Sequence, residues 1–345
     1  MRRISEDRRP PEASWYPRPV LLRLYMIGSA VLLMASGARR RRLRDGEVSL
    51  VYYVLEPRRW GRFRRRPGAG AAEPWLLLHG LGSVAASWGR ALYALRRDCR
   101  LVVPELSALG GTRAPGGWLG LEPGARLLAR LIEEELGGGP VTLAGLSMGA
   151  WMAMRLAQTR PELIARLVLI DAAGYRYQDW DRIDKLVKVQ DLDGVDRLYG
   201  AMFRKAPWVM RRSRRTFLQA YTSPPVRNLL ASLGEPDTYR DRDLARLTMP
   251  VALMWGERDG LFHLDVASAM AAALPRSRLY VLRDCGHAVH LECPRDLAGA
   301  LRRLRRELPL ASASDAADAG DAADAGAPRP AVADPAPHHP SAEAR

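Results

Sequence analysis

The chain has 345 residues, 48% of them apolar, and a formal net charge of +15 from 53 Lys+Arg against 38 Asp+Glu. That length holds one large domain, or one domain with an inserted cap and tails, around a sizeable core. The positive excess points to an anionic partner. Its residues are dispersed over tails, an apolar segment's flank and an internal insertion, with no recognition motif and no aromatic platform, which excludes nucleic acid. The three cysteines, Cys99, Cys285 and Cys293, are odd in number and lack regular spacing. They describe neither a disulfide framework nor a zinc site, so three free thiols in a reducing compartment are expected.

Residues 1–18 are polar and rich in Arg and Pro. Residues 19–38, PVLLRLYMIGSAVLLMASGA, form the one long apolar run, interrupted by Arg23 and followed by Arg39 to Arg42. The uninterrupted part, 24–38, is shorter than the roughly 20 residues of a spanning helix. Ser36 and Ala38 fit a cleaved signal peptide, but the arginines directly after them oppose export. A spanning anchor requires Arg23 to reach the headgroups. A helix embedded in one leaflet fits both the shortness and the basic flanks. Segment 19–44 is therefore expected to attach the chain to a membrane, with the inner membrane and a cytoplasmic catalytic domain as the expected arrangement. The lipid surface is the one macroscopic partner expected; no obligate protein partner is evident.

From Val48 the texture becomes short apolar runs alternating with helical patterns. The runs 48–55, 75–79, 100–104, 141–145, 167–171, 251–255 and 278–282 read as strands, several apolar throughout, as in sheets covered on both faces. Helical periodicity lies between them at 85–96, 121–136, 148–160, 264–273 and 294–306. This alternation predicts an α/β fold with a doubly wound, mostly parallel sheet. Right-handed crossovers place the strand C-termini along one edge, where chemistry is expected. The connection from 171 to 251 is too long for one crossover helix and predicts a helical cap at 175–248, between core segments 45–174 and 249–308. The cap is basic, with Arg204, Lys205, Arg211, Arg212, Arg214 and Arg215 set among Met202, Phe203, Trp208, Val209, Met210 and Phe217. It reads either as a solvated face or as a surface resting on anionic headgroups. Residues 309–345 are rich in Ala, Asp, Pro and Ser and read as a disordered, low-complexity tail; His338 and His339 within it are not candidates for catalysis.

The sharpest motif is Gly145-Leu146-Ser147-Met148-Gly149, which follows an apolar strand and opens a helical pattern. In that context it is a nucleophile elbow: a strained turn lifts the hydroxyl clear of the sheet, and Gly145 and Gly149 let strand and helix pass closely. A hydroxyl needs a base, and the base an orienting acid. Both are expected in the loops after the last two strands, which contain Asp259 in WGERD (255–259) and His287 in DCGH (284–287). Glu257 and Asp171 compete for the acid role, His290 and His263 for the base. The oxyanion hole is expected from the backbone N–H groups of Met148 and Leu81, the latter in HGLGS (79–83), with His79 shaping that loop.

HGLGS, ELSALGGTR (105–113), GLSMG, WGERD and DCGHAVHLECP (284–294) resemble the α/β-hydrolase superfamily in order and spacing over roughly 48–306. The basic N-terminal apolar segment, GGTR, AAGYRY (172–177) and CGH followed by ECPR resemble its membrane-anchored monoacylglycerol lipase-type branch. Leu146 is common to many esterases and does not select lipids. The resemblance implies serine-dependent hydrolysis of acylglycerols or related lipid esters through an acyl-enzyme. A soluble-substrate esterase, a carbon–carbon bond hydrolase and a cofactor-free perhydrolase use the same triad. No metal or other cofactor is expected, since there is no H-E-x-x-H, no carboxylate cluster and no G-x-G-x-x-G after a strand.

Overall fold

The computed structural model describes residues 20–57, 72–176, 179–310 and 331–332. One sheet organises them. Its strands are β1 (Arg39–Asp45), β2 (Val48–Leu55), β3 (Glu73–Leu78), β4 (Cys99–Pro104), β5 (Val141–Leu146), β6 (Ile164–Ile170), β7 (Val251–Gly256), β8 (Ser277–Leu282) and the two-residue β9 (Ala331–Val332). Their spatial order is β1-β2-β4-β3-β5-β6-β7-β8-β9. The pairs β1/β2 and β2/β4 are antiparallel, and every other pair is parallel. The seven strands expected from the sequence are β2 to β8, and the α/β fold with a mostly parallel sheet is the one observed.

Every residue of β5, β6 and β7 is buried, which explains why these strands read as unbroken apolar runs. Alternation along β3 feeds two separate cores: Leu76 and Leu78 pack into one, Trp75 and Leu77 into the other. Helices Leu121–Glu135, Met148–Thr159 and Leu264–Ala273 cover the first face through Leu127, Trp151 and Met270. Helices Gly89–Leu95 and Pro294–Glu307 cover the second through Leu92, Leu297, Leu301 and Leu304.

Between β6 and β7 the chain breaks into short helices: Trp180–Val187, Leu192–Met202, Trp208–Arg212, Arg214–Tyr221, Pro224–Ser232 and Asp241–Leu244. Two start on an aspartate cap: Asp179 accepts from Arg182 N at 3.0 Å, and Asp191 from Gly194 N at 2.7 Å. Ile183, Val195, Leu198, Tyr199, Phe203, Tyr221 and Val226 join the first core, so this insertion is packed onto the sheet as part of one apolar body. Each fully buried aliphatic such as Val195 or Leu198 stabilises that contact by about 1.5–3 kcal/mol.

The apolar segment forms a helix, Val20–Ala35, of 16 residues, about 24 Å long at 1.5 Å per residue, and two other sequence expectations change. Among the described residues no helix is long and apolar enough to cross a membrane. Arg39 to Arg44, read as the basic flank of that segment, instead pair with β2 as edge strand β1; Arg41 reaches Glu135 at 2.7 Å and Arg39 reaches Glu56 at 2.8 Å. Lysine- or arginine-lined edges are a common protection against further strand pairing. Cys285 and Cys293 are not free thiols but a disulfide, with their Cα atoms 6.0 Å apart. The short helix Val289–Glu292 folds the chain back on itself after His287, which brings together two cysteines that look unrelated in sequence. Cys99 is free and buried, its thiol pushed up to about 12 by burial. The readings made for 1–18 and for most of the 309–345 tail lie outside the described residues; Ala331–Val332 pairs with β8.

Candidate active site

The C-terminal ends of β5, β6, β7 and β8 lie side by side and carry, in turn, Ser147, Asp171, Asp259 and His287. Ser147 follows β5 directly and adopts φ 52°, ψ −117°, a conformation that L residues avoid and that costs on the order of 1–3 kcal/mol. The glycines around it are required by contact: a Cβ on Gly145 would lie 2.3 Å from Gly149 O, and one on Gly149 would lie 2.4 Å from Leu78 O. The turn is held by Ser147 N donating to Ile170 O at 2.9 Å. Helix Met148–Thr159 then points its N-terminus at the serine, and its dipole favours negative charge there.

Asp259 and His287 are each only 4% exposed. His287 Nδ1 donates to Asp259 Oδ2 at 2.9 Å, while Asp259 Oδ1 accepts from Leu261 N at 2.8 Å and Phe262 N at 2.9 Å. This bond puts the proton on Nδ1 and leaves Nε2 as the basic nitrogen. The Phe262 ring packs edge-on against the imidazole, with centroids 5.1 Å apart. Ser147 makes no hydrogen bond to His287 among the described residues; such contacts often tighten only with substrate bound.

The loop after β3 runs directly against the elbow, since a Cβ on Gly80 would lie 3.4 Å from both Ser147 Cβ and Leu146 O. The backbone N–H groups of Leu81 and Met148 donate to no protein group among the described residues. Two N–H groups without partners beside a strained serine can hold a developing oxyanion. His79 shapes this loop from beneath: it is fully buried, donates from Nδ1 to Gly80 O at 2.9 Å and accepts at Nε2 from Leu106 N at 3.0 Å. Burial pushes it down to about 4, so it is neutral and both its nitrogens are engaged.

The rival residues separate by environment. Glu257 is exposed and accepts from Asp284 N at 3.0 Å. His263 is exposed at the start of helix Leu264–Ala273. His290 is buried, with neither ring nitrogen partnered, and burial pushes it down to about 3. Asp171 lies within the site: one carboxylate oxygen each of Asp171 and Asp259 and one nitrogen of His287 lie within 4.8 Å of one another.

The cap encloses the site in two ways that sequence reasoning missed. Its backbone clamps the loops that carry Asp259 and His287: Gly260 N donates to Ala201 O at 2.9 Å and Ala288 N to Met202 O at 3.3 Å. Glu292 completes the clamp, accepting from Gly286 N at 2.7 Å, Lys205 N at 2.7 Å and Arg204 N at 3.3 Å. An aromatic chain also crosses the site. Phe203 contacts Tyr199 (5.7 Å), Tyr199 contacts Phe217 (5.0 Å), and Phe217 stacks on Tyr221 (5.0 Å). Tyr221 meets the loop after β3, because a Cβ on Gly82 would lie 3.3 Å from its ring. The apolar character of 198–221 was legible, but which residues face inward was not; Trp208 is exposed.

Among the described residues, donors of metal-ligand type gather at two places: Asp171, Asp259 and His287, and Cys285, Cys293 and Asp296. In the first, the His287 nitrogen facing the carboxyls carries the proton bonded to Asp259; in the second, the two sulfurs are bonded to each other. Neither donor set fits an ion as it stands.

Known proteins share this fold. The family model described as the alpha/beta hydrolase family matches residues 75–300. The chain belongs to this α/β-hydrolase family. It is 23% identical to bovine "Monoacylglycerol lipase ABHD6" over 69% of this chain and 76% of that protein. It is 25% identical to a 2-hydroxy-6-oxo-2,4-heptadienoate hydrolase of Pseudomonas putida over 65% of this chain and 85% of that one. Among solved α/β-hydrolase structures, a bacterial membrane phospholipase A superposes with a TM-score of 0.67 at 20% identity, covering 84% of this chain and 95% of the other. At that identity the likeness shows the fold.

Proposed function

We propose that this α/β hydrolase cleaves carboxylic esters of lipids, monoacylglycerols among them, at a membrane surface, through an acyl-enzyme on Ser147. The observation that carries the reading is the buried Asp259–His287 pair beside the strained Ser147, beneath an apolar aromatic cap. His287 Nε2 takes the Ser147 proton as the hydroxyl attacks the ester carbonyl. The N–H groups of Leu81 and Met148 hold the oxyanion, and Asp259 stabilises the imidazolium without taking its proton. The alcohol leaves with the proton from His287, and a water activated by the same ring releases the fatty acid. No step in this scheme calls for a metal or cofactor.

Lipid as substrate class is supported by the aromatic chain Phe203–Tyr199–Phe217–Tyr221 and by the surface beside it. Helix Val20–Ala35 buries Leu33 but exposes Ile27, Val31, Leu32 and Met34. Exposed Trp208 stands in one short helix with Arg211 and Arg212, a pairing that suits an anionic interface. The relatives named as monoacylglycerol lipases point the same way. The relative named as a 2-hydroxy-6-oxo-2,4-heptadienoate hydrolase makes hydrolysis of such a dienoate the second candidate for the same site.

The test is fluorophosphonate labelling of the wild type and of Ser147→Ala, followed by turnover of a monoacylglycerol series, short soluble esters and a 2-hydroxy-6-oxo-dienoate. Serine-dependent labelling with preference for medium or long acylglycerols supports the lipid reading. Turnover confined to soluble esters or to the dienoate keeps the site and removes the lipid. A folded wild type that neither labels nor turns over any of them overturns the proposal.

A further inference from the structure

Two buried carboxyl groups meet where β6 and β7 end. Asp171 has no exposed surface and holds a positive φ of 42°, a conformation kept only where surrounding contacts over-determine it. Its Oδ1 accepts from Gly256 N at 2.8 Å, whereas its Oδ2 is buried with no donor. The carboxyl of Asp259 and the ring of His287 lie beside it, the nearest donor and acceptor atoms of the three all within 4.8 Å. Two carboxylates so close in a dry site repel, which favours a single negative charge between them.

The hydrogen bonds decide where that proton sits. Asp259 accepts from Leu261 N, Phe262 N and His287 Nδ1, three donors that stabilise its ionised form. Asp171 accepts from one. We propose that Asp171 is a positioning residue that keeps its proton and donates it from Oδ2 to the Asp259 carboxylate. That bond satisfies the orphaned oxygen and supplies Asp259 with a fourth donor. It holds the acid in the orientation that His287 needs, and Asp171 itself touches no substrate. Burial, and then the Asp259 charge, push Asp171 well above the usual carboxylate range, which agrees with the geometry. The titratable groups that face Asp171 are Asp259, from the loop after β7, and His287, from the loop after β8; His290 adds its field at His287.

The catalytic part of this inference rests on the roles proposed above for Ser147, His287 and Asp259; the location of the proton does not. The full-length wild type, Asp171→Asn and Asp171→Ala are compared. The side-chain amide of Asp171→Asn can accept from Gly256 and donate to Asp259, and asparagine tolerates positive φ. Its kcat is therefore expected within roughly twofold of wild type, with the acidic limb of the pH–rate profile unmoved. Asp171→Ala removes the donor. The less satisfied Asp259 then holds the imidazolium proton to higher pH, so the acidic limb moves up and kcat falls while KM stays. The infrared difference spectrum at pH 7 is expected to show a protonated-carboxyl band in wild type that Asp171→Asn lacks. An ionised Asp171 gives the opposite result: no protonated-carboxyl band that Asp171→Asn lacks, and an acidic limb that moves down in Asp171→Asn because a negative charge beside His287 is lost. Either finding overturns the proposal, as does an unmoved limb in a folded Asp171→Ala. Should wild type fail to label with fluorophosphonate, the hydrolase reading falls, while the infrared band still tests the proton on Asp171.

Discussion

Where β3, β5 and β6 begin, the buried Arg166 guanidinium pairs with Glu73, donates to Thr142 Oγ1 at 3.0 Å and Leu308 O at 2.7 Å, and lies over the Trp75 ring. Arg305 closes the network onto Glu73 at 2.8 Å. Where β6 and β7 end, about the length of one strand away, Asp171 and Asp259 bury two carboxyl groups with a single basic neighbour, His287. The first edge neutralises what it buries and ties the last helix to the sheet. The second, among the described residues, leaves the backbone N–H groups of Leu81 and Met148 without protein partners. The same sheet therefore carries a structural network at one end and a chemically poised one at the other. A buried ion pair is costly to break from one side, whereas two buried acidic groups forced together mark a candidate site of function.

That contrast can be broken at either end. The largest effect is expected for Ser147→Ala, a loss of turnover on the order of 10^4-fold or more. Its melting temperature should not fall, since the hydroxyl makes no fold-stabilising bond; calorimetry beside steady-state kinetics checks both. Asp259→Asn should reduce kcat by about 10^3 to 10^4-fold, because the amide cannot hold His287 in the required tautomer; a mutant within tenfold of wild type would show that another group orients the base. At the opposite edge, Arg166→Met should leave kcat alone and lower stability by about 3 kcal/mol, since Glu73 loses a buried partner. Replacing Glu73 by Met in the same chain should restore most of that loss, and denaturant unfolding of the two variants decides. Glu292→Gln replaces a carboxylate that three N–H groups share by an amide with one good acceptor. The His287 loop should loosen and kcat fall about tenfold, roughly 1.4 kcal/mol, with little change in KM.

The smallest effect concerns Glu105, buried beside His79 and accepting from Ala85 N at 3.0 Å. Burial pushes it up from 4.5 to about 7. Between those values the folded chain holds a proton that the unfolded chain has released, so this residue makes stability fall as pH rises from about 4.5 to 7 and is flat outside that window. Glu105→Gln should remove that slope, as read from melting temperatures across the range; a slope unchanged in the variant assigns it to other groups.

Strand periodicity made β2 to β8 legible, because strands covered on both faces must be apolar along their whole length. Crossover handedness then required that residues following those strands share one edge, so the neighbourhood of Ser147, Asp259 and His287 could be read from order alone. The strained turn at Ser147 was legible for a local reason: backbones 2.3–2.4 Å from where a Cβ would sit admit only glycine at Gly145 and Gly149. The remaining features are contacts between residues far apart in the chain. Cys285 and Cys293 could be known as a pair only once the chain had turned back after His287. Arg39 to Arg44 could be known as a strand only once β2 offered its edge. The aromatic crossing of the cap depended on which faces of two short helices, Leu192–Met202 and Arg214–Tyr221, meet. The apposition of Asp171 and Asp259 came from the register of β6 against β7. Sequence determines a pattern wherever the constraint is the local backbone or the burial of a whole strand. Only the packed tertiary structure decides which polar groups are left facing one another, because that depends on every element at once.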